Sequence, residues 1–131
     1  MNTENLWGDL PPIANFKTPL QILKEQATAI TKMTNGLLVG SVGPAARRIR
    51  SFTYELAIRA PALNDYTTNV VTIAYEISLY PVILVPNAAA KALELPTEDA
   101  FVAALATTLQ DERVRSLIAS LLVQSNVAKV E

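Results

Sequence analysis

Between Thr68 and Pro86, apolar side chains return at every second position: Val71, Ile73, Tyr75, Ile77 and Leu79, with Thr72, Ala74, Glu76 and Ser78 in the gaps. That period predicts a strand with one buried face, because successive side chains of an extended backbone point to opposite sides. Val82, Ile83, Leu84 and Val85 then follow one another without a polar break, between Pro81 and Pro86. So short an apolar run predicts a second strand, covered on both faces or by helices on one side and a partner on the other. The alternation also appears earlier. Phe52, Tyr54, Leu56 and Ile58 share one side of a strand expected over Ile49 to Ala60, with Ser51, Thr53, Glu55, Ala57 and Arg59 on the other. Leu37 to Val42 is read as its hairpin partner, across a turn containing Gly40, Gly43 and Pro44. The stretch Ala60 to Tyr66 links the second strand to the third through Asn64-Asp65, whose side chains can bond their own backbone.

The period changes on either side of this sheet. Thr18 and Pro19 form an N-cap and first helical position, and Asn35-Gly36 a stop, around Leu20, Ile22, Leu23, Ala27, Ala29, Ile30 and Met33 on one stripe. Near the other end, Asn87 to Leu95 reads as a short helix halted by Pro96. Thr97 then caps a helix with Phe101, Val102, Leu105 and Leu109 along its apolar side, and Asp111 and Glu112 open a last one through about Gln124. Val114, Leu117, Ile118, Leu121 and Leu122 face inward in that last helix.

The assembled expectation is an α+β fold: an N-terminal helix, a four-stranded antiparallel meander, and two or three C-terminal helices packed on one sheet face. Residues 1–17 form an extended N-terminal arm, residues 18–125 a single α+β domain and residues 126–131 a frayed tail. The other sheet face, with Ser51, Thr53, Ala57, Thr72, Ala74 and Ser78, is small and polar without being heavily charged. Such a face suits contact with a second copy or another protein.

Composition narrows the chemistry. The 131 residues include no cysteine and no histidine, which removes disulfides, thiolate chemistry, the commonest metal ligand and the commonest general base. Eleven basic residues against twelve acidic ones give a net charge of −1, so no global charge recommends nucleic acid or an anionic membrane. Charged residues make up 18% of the chain where about 25% is usual, which points to surface covered by another chain. Residues 1–16 carry Glu4 and Asp9 and lack the basic and apolar regions of a signal peptide, and no stretch is long enough to span a bilayer. The expected setting is the cytoplasm of a bacterium.

Two features stand out as binding candidates. Trp7, with Leu6, Leu10 and Ile13, gives the arm enough apolar area to dock on the chain's own sheet, the preferred reading, or on a neighbouring subunit. Arg47, Arg48 and Arg50 are the one cluster of like charge, read as a solvated hairpin tip with an anion site as the functional rival. Gly40 and Gly43 match neither phosphate-binding fingerprint. Asp65, Glu55 and Glu76, with Arg59 or Tyr66, are the residues from which a hydrolase would have to be assembled, although Glu55 and Glu76 are explained by the polar faces of their strands. The leading expectation is therefore a small non-catalytic interaction or regulatory subunit, a homodimer or bound to one dedicated protein partner, with no catalytic residue, metal or cofactor assigned. An anion or nucleic-acid binder built on the arginines comes second, a carboxylate-based hydrolase third.

Overall fold

A computed structural model describes residues 5–11, 17–46, 50–87 and 91–129. Helix α1, Pro19–Met33, starts where Thr18 adopts an extended conformation and its hydroxyl accepts the Gln21 N–H at 3.1 Å, with Pro19 in the position where no donor is needed. It ends at Asn35 and Gly36, both left-handed at φ 51° and 80°. There the Gly36 N–H reaches back to the Thr31 carbonyl at 2.8 Å. The Thr34 hydroxyl accepts the Leu38 N–H at 3.1 Å and so steers the chain into the sheet.

Five strands follow, each antiparallel to the next and in the spatial order of the chain: β1 Val39–Pro44, β2 Phe52–Ala60, β3 Tyr66–Tyr75, β4 Val82–Pro86 and β5 Leu93–Leu95. A single 3₁₀ turn, Pro61–Leu63, joins β2 to β3 and ends at Asn64 in the left-handed region. The α+β class and the meander stand, with five strands in place of four. The difference lies at Asn87 to Leu95, expected to be helical. Residues 88–90 lie outside the described residues, but Leu93, Glu94 and Leu95 pair with Leu84, Ile83 and Val82. The outer edge of β4 offers these residues backbone partners that outweigh a local helix preference, because an unpaired ladder edge is costly once its side chains are buried.

Strand β3 departs from the expected alternation at both ends. Leu56 pairs with Val71 while Ala57 pairs with Asn69, so Val70 is an extra residue in β3. This bulge reverses the phase and leaves both Val70 and Val71 buried on the helix side. After Tyr75 the strand stops, although Ile77 and Leu79 prolong the pattern. Glu76 to Leu79 form a turn closed by the Leu79 N–H on the Glu76 carbonyl at 2.8 Å, with Leu79 at φ 77°. Ile77 is left 83% exposed.

Two helices complete the cover: α2, Glu98–Leu109, capped by the Thr97 hydroxyl on the Ala100 N–H at 3.1 Å, and α3, Glu112–Lys129. Ile22, Leu23 and Ala27 of α1 and Phe101 and Leu105 of α2 close over Leu56, Val71, Ile73, Tyr75, Val82 and Leu84. Val114 and Leu121 of α3 cover the far end of the same face, against Leu38, Ile58, Ala60 and Val70. Val102, expected inside, is an exposed residue of α2. Helix α3 passes the expected end at Gln124 and runs to Lys129 through the region read as a fraying tail, with Ser125 fully buried. Asp111 begins it by accepting the Arg113 N–H at 2.9 Å, and hydrogen bonds from Arg113 hold the Asp111 carboxyl below its ordinary pKa. No helix among the described residues is long and apolar enough to cross a membrane.

Candidate functional site

Because all three helices pack on one side, the alternate residues of β2 to β5 are left to form an open face. Register sets them in rows. Thr53 lies opposite Ala74, Ala74 opposite Ile83, and Ile83 opposite Glu94. Glu55, Thr72 and Val85 make the next row. Together with Ala45, Ser51, Glu76 and Ala92, these residues line an open groove of about 670 Å3. Its floor is small and apolar or hydroxylated, and its charged members among the described residues are Glu55, Glu76 and Glu94. The Glu55 carboxylate accepts the Asn69 side-chain N–H at 3.0 Å, whereas Glu76 and Glu94 have no side-chain partner among the described residues. The Thr53 hydroxyl oxygen is buried and likewise without a partner there.

The expected open-face residues fall mostly where the pattern put them. Ser51, Thr53, Thr72 and Ala74 line the groove. Ser78 does not, because it belongs to the turn after β3 and its hydroxyl donates to the Tyr80 carbonyl at 3.2 Å. Ala57 is buried beside the bulge. Ile83 and Val85 come from an apolar run whose two faces the sequence did not tell apart. Glu94 carried no signal, since only pairing with β4 puts it on this face.

Of the arginines, Arg47 and Arg48 lie outside the described residues. Arg50 is exposed at φ 67° and, with Ser51, Phe52, Glu76 and Ile77, borders a recess beyond the end of the groove. Trp7 is 84% exposed and Leu6 and Leu10 are exposed with it, so the expected packing of the tryptophan on the chain's own sheet does not occur; Ile13 lies outside the described residues. The carboxylates a hydrolase would need are dispersed. Asp65 is bound by Arg59 at 2.7 Å, Glu55 by Asn69, and Glu76 sits at the opposite end of β3 from Asp65. No group of three acidic side chains is placed to hold a metal ion among the described residues.

Between sheet and helices the space is small. A cleft of about 150 Å3 lies beside Val70, Leu93, Thr108 and Val114, well below the roughly 300–1,000 Å3 of ordinary ligand sites. Burial raises the titrations of Tyr75 and Tyr80 on this covered side. Tyr80 is pushed up to about 12, first by burial and then by the charges of Glu98 and Tyr75. For Tyr75 burial again leads, followed by Tyr54, against an opposing hydrogen bond to the Leu20 backbone. Tyr75 belongs to the buried core, and Tyr80 is partly buried against it.

Compared with protein-family models, with curated proteins and with solved structures, the chain finds no match in any of the three.

Proposed function

We propose that this chain is a small non-catalytic interaction subunit whose docking surface is the open face of its sheet, used by a second copy or by a dedicated protein partner. The observation that carries the reading is the groove over Thr53, Thr72, Ala74, Ile83 and Val85, a floor of low charge on strands whose other face is packed under helices. An apolar surface with an acidic rim suits a protein partner, since interface cores are depleted in charge and their rims are polar. The exposed Leu6, Trp7 and Leu10 of the arm supply a second apolar element for the same contact.

Sedimentation equilibrium on the full chain, on a chain lacking residues 1–16 and on Ala74→Arg tests it, together with co-purification from the native host using wild type and Ala74→Arg. An association lost in Ala74→Arg and kept without the arm supports the sheet face. A chain that stays monomeric, and that retains the same proteins whether or not Ala74 is replaced, removes the reading.

One observation favours a second reading, an anion site at Arg47, Arg48 and Arg50: Arg50 is exposed at the groove's end. The three glutamates work against a polyanion crossing the groove itself. A mobility-shift titration without salt-dependent binding of nucleic acid sinks that alternative.

A further inference from the structure

The geometry points to a cationic amphipathic helix of a partner protein as the occupant of the groove, an inference that rests on the docking face proposed above and names the chemistry it takes. Width argues for a helix. Thr53, Ala74, Ile83 and Glu94 stand in one row across four strands, which at about 4.8 Å per strand spans roughly 14 Å. A helix with its side chains is about 10–12 Å across, so one laid along the strands covers Ala74, Ile83, Thr72 and Val85. Its two flanks then face Glu55 on the β2 side and Glu94 on the β5 side. Thr53, Thr72 and Ala74 are small side chains, so the floor between the flanking glutamates is low enough for a helix to rest on it. A third layer of helix over an uncovered sheet is the ordinary way such a face is closed.

Charge selects the helix and argues against self-association. No lysine or arginine lines the groove among the described residues, while Glu55, Glu76 and Glu94 do. Stacking two copies face to face sets three glutamates of one against three of the other across a partly desolvated interface, where like charges are costly. A helix with leucine-like residues along one stripe and lysine or arginine on both flanks covers the apolar floor and neutralises the rim.

The test uses a fluorescent leucine–lysine amphipathic peptide of roughly 18 residues, about five helical turns, and its leucine–glutamate counterpart, titrated with the full chain and read by anisotropy. The lysine peptide is expected to bind saturably and more weakly as salt rises, and the glutamate peptide not at all. Glu55→Gln/Glu94→Gln, which keeps the acceptor Asn69 uses, should weaken binding about fivefold or more and flatten the salt dependence. Ala74→Arg should abolish binding, whereas Glu112→Gln on α3 should leave it unchanged. Thermal melts establish that the glutamine variants are folded. No binding of the lysine peptide, or equal binding by the double variant, overturns the inference. Sedimentation of the same proteins separates the two levels. If the peptide fails but the chain self-associates and Ala74→Arg dissociates it, the docking face stands and its occupant is a second copy; if neither measurement responds to Ala74→Arg, both readings fall.

Discussion

The two faces of the sheet are built from neighbouring residues and differ in almost everything else. On β3, Val71, Ile73 and Tyr75 lie under α1 and α2, while Thr72 and Ala74, one position away, floor an open groove. On β4 the same division sets Val82 and Leu84 inside and Ile83 and Val85 outside. The covered face has large side chains sealed by helices. The open face has small and β-branched ones with glutamates around them, a composition apolar enough to be worth covering and polar enough to remain in water. Strand pairing stabilises both faces at once, so the difference lies in what packs on each, and substitutions should separate them.

The largest contrast is expected at adjacent positions of β3. Ile73→Ala should cost about 2–5 kcal/mol, since Ile73 is fully buried and its truncation leaves a cavity, whereas Thr72→Ala should cost less than about 1. Urea denaturation of both variants measures this, and similar losses would break the division between faces. Next comes the seam between α1 and the sheet. A Cβ on Gly40 meets the Ala27 carbonyl oxygen, and Ile30 Cγ2 at 2.6 Å, and the Gly40 N–H donates to the Thr31 hydroxyl at 2.9 Å. Gly40→Ala should therefore destabilise by about 1–3 kcal/mol, with the helix forced off the strand, in contrast to Gly43→Ala, where no atom stands nearby.

A pH dependence sharpens the account of the covered side. The Tyr80 phenol is raised from 10.0 to about 12, chiefly by burial and then by Glu98 and Tyr75. The folded chain holds that proton more tightly than the unfolded one, so its contribution is complete below about pH 10 and declines as the pH climbs towards about 12. Tyr80→Phe should flatten that alkaline decline in denaturation curves and leave stability at neutral pH unchanged or slightly higher, because the hydroxyl is buried without a partner among the described residues. The smallest effect is expected from Ser125→Ala in α3. Its hydroxyl is fully buried and likewise unpaired among the described residues, so removing it should shift the melting midpoint little or upward. A clear loss there would reveal a bond that the packing does not show.

Some of this was legible and some was not, for reasons that can be located. Helix α1 was readable at both ends because Thr18, Pro19, Asn35 and Gly36 act through their own backbone neighbours. The inward set Val71, Ile73 and Tyr75 was readable because a two-residue period has one interpretation. Ile77 misled for the same reason, since the pattern continues past Tyr75 although the chain turns away. Val70 was hidden because a bulge is a property of two strands together. The candidate site was legible as Ser51, Thr53, Thr72 and Ala74, while Glu94 entered it through pairing alone.

By itself, the amino-acid sequence determined the α+β class, the caps of α1 and α2, the alternation that divides β2 and β3 into two faces, and the absence of histidine and cysteine chemistry. These follow from local conformational preference and from side-chain period, which need no distant partner. The fifth strand, the phase reversal at Val70, the extension of α3 to Lys129 and the gathering of Glu55, Glu76 and Glu94 around one groove were decided only in the tertiary structure. Each depends on a backbone edge or a buried surface supplied by residues far away in the chain. Leu93 to Leu95 show the rule most directly, because a segment next to alanines becomes a strand once β4 presents it with an unpaired edge.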